Sequence, residues 1–471
     1  MRYVSTRGEA APLDFVEVML AGLARDGGLY VPESWPALDA ATIAGFAGRP
    51  YAEIACEVMR PFIAGTLADA DVARMAREAY GTFRHPAVVP LRQVAPYTFV
   101  LELFHGPTLA FKDLAMQFVS RLMDHVLRER GQRATICVAT SGDTGGAAVE
   151  AFRGCSQVDL VVLYPHGRIS EVQRRMMTTA KDDNVHAVAV EGTFDDCQAL
   201  VKAMFNHHAF RDRLHLSAVN SINWTRVLAQ VVYYFTAAVA LGAPARKVAF
   251  TVPTGNFGDV YAGYVAGKMG LPIDRLVIAT NVNDILARTL ATGAYEIRGV
   301  TPTTSPSMDI QVSSNFERLL FDAYQRDAAS IRALMGSLSQ SKRFNVSSAA
   351  LGEIRKCFSA ERADEQEVAA TMRAAFREAG YCIDPHTAVA LAVAEKETRD
   401  PKVPMIVLST AHPAKFPDAV AAATGVTPKL PDWLGDLGKR EERVTVLPSD
   451  QAAIEKFVAS KSRAAREGAA A

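Results

Sequence analysis

Residues 136–152 read ICVATSGDTGGAAVEAF and residues 248–264 read VAFTVPTGNFGDVYAGY. In each, an apolar, β-branched run passes through a glycine-rich turn into a stretch with helical character. Related runs surround them: ATICVAT from 134, VDLVVLYP from 158, VHAVAV from 185, KVAFTVP from 247 and RLVIAT from 275. Short runs that stay apolar, alternating with helical segments, are the pattern of a parallel sheet covered on both faces, because such strands have no solvent side. The chain therefore reads as α/β. A late run, VPMIVLST at 403–410, leads into AHPAKFPDAVAAATG, a helix closed by Gly425, so the sheet resumes near the end. Residues 1–85 and 315–380 read as mostly helical, TPTTSPSMD at 301–309 as a loop, and the alanine-rich end EGAAA as a fraying terminus.

At 471 residues the chain is long enough for two or three domains. Its division is expected at 1–85 (an N-terminal domain), 86–430 (the core, with a smaller lobe at 130–205 and a helical insertion at 315–380) and 431–471 (an extension). Lys plus Arg equals Asp plus Glu at 51 each, so no global field recruits nucleic acid or an anionic membrane, and small molecules are the expected partners. The six cysteines, Cys56, Cys137, Cys155, Cys197, Cys357 and Cys382, lie far apart with no metal-ligand spacing; reduced thiols and no metal are the expectation. The N-terminus lacks the apolar stretch of a signal peptide, and VVYYFTAAVAL at 231–241 is too short to span a bilayer, so the expected location is cytoplasmic.

The two glycine turns define the chemistry. A helix N-terminus presents free N–H groups and partial positive charge, and glycine lets the backbone close around an anion. One such turn is ordinary punctuation; two in one core point to anion sites. Neither G-x-G-x-x-G nor G-x-x-x-x-G-K-[ST] occurs, which excludes nucleotide binding of those kinds. A third stretch, HGPTLAFKDLAMQF at 105–118, places Lys112 at the start of an apolar helix. Alone, that lysine reads as a solvated flank whose stem snorkels to water. Beside two anion turns it suggests an amine that meets a phosphorylated aldehyde.

Taken together, FHGPTLAFKDLAMQF, TSGDTGG, YPHGRISEVQRRMMTT, SINWTRV, VPTGNFGD, SPSMDIQVSSNFERLL, DPHTAV and LSTAHPAKFPDAV resemble the threonine synthases of the longer bacterial and fungal type. RYVSTRG and DGGLYVPE, near the start, resemble the same family. The resemblance implies a pyridoxal 5′-phosphate enzyme of fold type II (tryptophan synthase β-like), with parallel sheets in two lobes. It also implies that O-phospho-L-homoserine and water become L-threonine and phosphate. A monomer is expected, with a dimer as the alternative.

By this resemblance Lys112 forms the Schiff base. Desolvation among Leu109, Phe111 and Met116, and the first helical turn with Thr108 as its N-cap, would help the ammonium lose its charge. Asp113 reads as structural. Gly255, Asn256, Phe257 and Gly258 resemble the family's cup for the cofactor phosphate, with Asp259 capping the helix or orienting the loop. Thr410, rather than Ser409, matches the hydroxyl that meets the pyridine nitrogen. Thr140, Ser141 and Thr144 correspond to the grip on the substrate carboxylate. Asp143 stands where β-eliminating relatives carry asparagine, near the cofactor's phenolic oxygen, with its partner open. His105, Arg168, Arg174 and Asn223 are candidates for the substrate phosphate, Arg168 leading; His386 reads equally as a core histidine. Three rivals remain: a serine or cysteine β-replacing enzyme, a phospholyase stopping at 2-oxobutyrate, and a catalytically dead vitamer-binding protein, which should have lost Lys112.

Overall fold

A computed structural model describes residues 1–467; of the alanine-rich end expected to fray, only Glu467 falls among them. The first eighty residues form a short antiparallel ribbon, β1 (Tyr3–Ser5) with β2 (Tyr30–Pro32), and helices that include Tyr51–Ile63 and Asp69–Tyr80. This unit is fastened to the rest by Glu317, which accepts from the Thr6 hydroxyl at 2.6 Å and pairs with Arg7 at 3.1 Å.

β3 (Leu91–Ala95) and β4 (Thr98–Glu102) make a hairpin. Next come β5 (Ala134–Ala139), β6 (Val158–Pro165), β7 (Val185–Glu191) and β8 (Leu216–Ser217), then β9 (Val248–Pro253) and β10 (Ile273–Thr280). β11 (Ala294–Glu296) pairs with β12 (Arg343–Asn345) as a ribbon, and β13 (Phe358–Arg362), β14 (Met405–Ser409) and β15 (Val444–Pro448) complete the set. Two sheets dominate. The larger has the order β13-β10-β9-β14-β4-β3, parallel except for the β3–β4 hairpin. The smaller, β15-β7-β6-β5-β8, is parallel throughout. Every residue of β6 and β9 is buried, the two-sided cover that apolar runs require.

The stretch after 431, read from sequence as an extension, contributes β15 to the edge of the smaller sheet. Ile454 and Val458 of the following helix bury themselves in the same apolar cluster as Val188 and Val190 of β7. Residues 315–380 are helical as expected apart from β12 and β13, the latter an edge strand of the larger sheet. Among the described residues no helix is long and apolar enough to cross a membrane. No cluster of three or more metal-ligating acids, histidines or cysteines occurs there either.

Strands β5 and β9 both deliver their carboxyl ends to glycine turns that open helices, Asp143–Phe152 on the smaller sheet and Gly258–Lys268 on the larger. In open α/β sheets the crevice outside the carboxyl ends of strands is where ligands sit.

Candidate active site

Lys112 opens the helix Lys112–Glu129 and reaches its position through a strained approach, with Leu109 at φ 59°. That approach is pinned from both sides. The N–H of Thr108 donates to Asp113 Oδ2 at 2.8 Å and its hydroxyl to Oδ1 at 2.6 Å, while any Cβ on Gly106 would stand 2.5 Å from Asp113 Oδ2. Thr108 is therefore not the N-cap expected of it: Phe111 holds that position with no side-chain cap bond, and the Thr108 hydroxyl is committed to Asp113. From the other side, Phe111 N–H donates to the Thr410 carbonyl at 2.9 Å and His412 N–H to the Leu109 carbonyl at 3.0 Å. The Lys112 side chain, 12% exposed, stands with Nζ 3.4 Å from Asp143 Oδ2 and 5.1 Å from the centre of the Phe111 ring.

Burial pulls the Lys112 amine below its usual basicity; Lys415 and Arg226 act in the same direction, and Asp143 opposes them. Burial alone would raise the Asp143 carboxyl, but Lys415 and Lys112 outweigh it and hold the acid well below the carboxylate range. Lys415 Nζ is 2.7 Å from Asp143 Oδ1, and the Gln173 amide donates to the same oxygen at 2.9 Å. The pair is thus an ionised carboxylate beside a weakened base.

On the larger sheet, the loop Gly255–Gly258 turns its carbonyls outward. Gly255 O accepts from the Ser313 hydroxyl at 2.6 Å, and Asn256 O accepts from Asn315 N and Nδ2 at 3.1 and 2.8 Å. Phe257 sits at φ 66° with its buried ring against Phe316. None of the four N–H groups of 255–258 finds an acceptor among the described residues, and the helix they open has no side-chain cap. Gly255 has no room for a side chain, since a Cβ would meet the Ser307 carbonyl at 2.6 Å. Asp259 does not cap that helix. Its Oδ1 accepts from the Tyr233 and Tyr234 hydroxyls, its Oδ2 is buried without a partner, and burial raises its pKa to about 6. The Asp259 carboxyl and carbonyl are thus both committed to these tyrosines.

Around the first turn, Thr140 Oγ1 accepts from the N–H groups of Gly142 and Gly145 at 2.9 Å each, which shapes the loop, and its own proton remains to donate. Gly142, at φ 136°, passes so close to Gln173 that a side chain would overlap the amide. The partly exposed Ser141 and Thr144 hydroxyls have no partner among the described residues. At the end of β14 the choice between neighbours is decided by bonding: Ser409 Oγ faces Thr387 Oγ1 at 2.8 Å inside the core, whereas the Thr410 hydroxyl makes no bond there.

The substrate-phosphate candidates separate. His105 pairs with Glu102 at 2.6 Å, and its ring lies 5.1 Å from that of His85. Arg168 is exposed in the turn after β6. Arg174 pairs with Glu442 at 3.1 Å. Asn223 does not suit the substrate role expected of it: fully buried, it caps the helix Trp224–Ala240 by accepting from Thr225 N, and its amide donates to the Met19 and Ala218 carbonyls. His386 is a satisfied core residue, with Nδ1 2.7 Å from Asp384 Oδ2.

Three residues of the site lie inside stretches quoted above but were not singled out: Lys415, Gln173 and Arg226. Arg226 is 3% exposed and its guanidinium donates to the Val219 carbonyl at 3.2 Å; its Nε has no partner among the described residues, and burial lowers its pKa to about 10. One turn further along the same helix, Gln230 Oε1 lies 3.7 Å from where a Gly258 Cβ would be, so this helix packs beside the amide cup. Free amides, a cradle closed to side chains and a buried guanidinium with no carboxylate partner among the described residues fit a phosphate dianion, and a weakened amine fits an aldehyde.

The fold and this site define the chain as a pyridoxal-phosphate-dependent enzyme, and residues 84–350 match the family model of that description. Residues 2–80 match the threonine synthase N-terminal model and residues 387–458 the threonine synthase C-terminal model. A threonine synthase of Pseudomonas aeruginosa is 52% identical over 459 residues, covering 97% of this chain and 98% of that one. The crystal structure of PLP-bound threonine synthase from Brucella melitensis, 59% identical, superposes with a TM-score of 0.96 over 98% of this chain and 100% of that one. The threonine synthase structure from yeast does so at 38% identity, with a TM-score of 0.93 over 98% of each chain. The chain belongs to the threonine synthase family.

Proposed function

We propose that this protein, acting in the cytoplasm as a monomer, converts O-phospho-L-homoserine and water into L-threonine and phosphate with pyridoxal 5′-phosphate. The observation that carries the reading is the Lys112 amine, weakened by burial and 3.4 Å from an ionised Asp143, in a chain whose two ends both match threonine synthase models. When bound, the cofactor supplies an aldehyde for the amine and a ring that withdraws the charge left at Cα.

The remaining work falls to side chains and amides of the chain. The N–H groups of Gly255 to Gly258 would hold the cofactor phosphate, with Arg226 behind them, and the Thr410 hydroxyl would serve the ring nitrogen as a neutral partner that leaves it largely unprotonated. Asp143 would serve the phenolic oxygen, and Thr140, Ser141 and Thr144 would bind the substrate carboxylate. Lys112 Nζ, once released, takes the proton from Cα, and a second proton leaves Cβ as phosphate departs from Cγ. A proton is then delivered to Cγ, water adds its hydroxyl at Cβ and Lys112 returns a proton to Cα, so atoms balance with one water consumed and one phosphate released. His105 and Arg168 are the side chains proposed for the departing phosphate. Closure of the smaller lobe would exclude water from these steps.

The test is incubation with O-phospho-L-homoserine and separation of the products. Threonine and phosphate in equal amounts are expected; phosphate with 2-oxobutyrate instead would make the protein a phospholyase. After borohydride treatment the cofactor label should map to Lys112, and a label on another lysine would overturn the assignment.

A further inference from the structure

Lys415 has no exposed surface. A lysine is almost never buried to that extent without partners, and this one has two: Nζ donates to the Thr108 carbonyl at 2.8 Å and lies 2.7 Å from Asp143 Oδ1. Its place is over-determined. The segment that carries it is bridged to the Lys112 loop at Ala110 and Ala411, and the N–H of Lys415 donates to the His412 carbonyl at 3.0 Å. Asp143 therefore lies between two ammonium-bearing side chains, at 2.7 Å from Lys415 and 3.4 Å from Lys112, with Gln173 completing the shell around Oδ1.

We propose that Lys415 is a positioning residue of the reaction: its ammonium neutralises Asp143, so that Lys112 faces a compensated carboxylate rather than a free ion-pair partner. The proposal rests on the reading that Lys112 is the amine that joins the cofactor. Two cations and one anion closed off from water carry a net charge, which is relieved when one amine is neutral. Lys415 is the better paired of the two, so Lys112 is the amine that gives up its proton. Without Lys415, Asp143 would have only Lys112 as a cation and would hold the proton on it, opposite to what an imine-forming base needs. The other charged groups that face Lys112 are Arg226, which acts with Lys415, and Asp259, while Asp113 feels Lys415.

The test measures the rate at which cofactor-free protein captures pyridoxal 5′-phosphate at Lys112, trapped with borohydride, as a function of pH. For Lys415→Met the midpoint should move upward by about one pH unit or more, slowing capture about tenfold at neutral pH. Binding of 4′-deoxypyridoxine 5′-phosphate, which has no aldehyde, should change little, because the cup is elsewhere. Adding Asp143→Asn to Lys415→Met should bring the midpoint back down, since Lys415 acts only through that charge. If Lys415→Met is too unstable to purify, recovery of folded, analogue-binding protein in the double variant supports the proposal, and failure to recover overturns it. An unmoved midpoint in Lys415→Met, or a double variant that stays shifted, also overturns it. Should the parent protein bind neither cofactor nor analogue, the functional reading itself would fall instead.

Discussion

A buried carboxylate must be held by donors, and Asp113, with no exposed surface, is held by one backbone N–H and one hydroxyl, both from Thr108. Burial outweighs these bonds and raises its pKa from 3.8 to about 6. A raised folded pKa means that stability from this group is present below about pH 4 and is lost as pH rises through 6. The shift corresponds to about 3 kcal/mol at most. In cofactor-free protein, Asp113→Asn should therefore flatten the fall in unfolding free energy between pH 4 and 7 by up to that amount, as read by urea denaturation. A slope equal to the parent's would show that folding does not raise the Asp113 pKa, so that the folded carboxyl is already charged in this range. The same residue marks what a single sequence conveys. That an acid follows Lys112 was legible, but that it organises the Gly106–Thr108 turn instead of facing the helix dipole was not, because the turn's geometry depends on φ values no pattern encodes. Lys415 and Arg226 were hidden for a related reason: the default for either residue type is solvent, and only packing reveals a burial of 0% and 3%.

Strands with two covered faces announce themselves, which is why β5, β6, β7, β9, β10 and β14 were all legible as apolar runs. Of those that escaped, all but β4, a five-residue strand inside the larger sheet, are edges or fragments. β3, β13 and β15 each border a sheet, β8 has two residues, and β15 alternates between exposed and half-buried positions. β13 lay inside a stretch dominated by helices. The glycine turns were legible as strand-to-helix turns, yet what leaves the N–H groups of 255–258 free among the described residues is remote in sequence: Ser313 and Asn315 take the loop's carbonyls. Gly255→Ala tests that element. Its Cβ would strike the Ser307 carbonyl, a backbone atom, so the loop must shift and one or two charge-assisted bonds weaken. A loss of about 1.5–3 kcal/mol in cofactor affinity is expected, roughly ten- to a hundredfold in Kd by equilibrium dialysis. Gly336→Ala, in a half-buried helical position where an added Cβ meets nothing within 4 Å, should leave Kd unchanged. Equal affinities for parent and Gly255→Ala would remove the loop from the cofactor site.

At the scale of the molecule, the candidate site draws on both sheets. The larger supplies the amide cup and Thr410, while the smaller supplies the Thr140–Gly145 loop and Asp143. The far end of the chain braces the smaller sheet. β15 closes its edge against β7, Arg463 Nε donates to Asp159 Oδ1 at 2.6 Å, and Ile454 and Val458 are fully buried. The same segment grips the helix Glu171–Thr178 through Glu442, which pairs with Arg174 and accepts from the Thr178 hydroxyl at 2.6 Å, and that helix carries Gln173 to Asp143. Deleting residues 441–471 should therefore uncover the edge of β7 and loosen the Asp143 side of the site, leaving β9, β10 and the 255–258 cup in place. Hydrogen exchange should show protection lost in β6 and β7 and kept in β9 and β10. Turnover should fall by more than cofactor affinity, because the phosphate cup lies on the intact sheet. Uniform loss of protection across both sheets would mean that the two unfold as one unit, and unchanged protection in β7 would mean that β15 contributes nothing to the smaller sheet's stability.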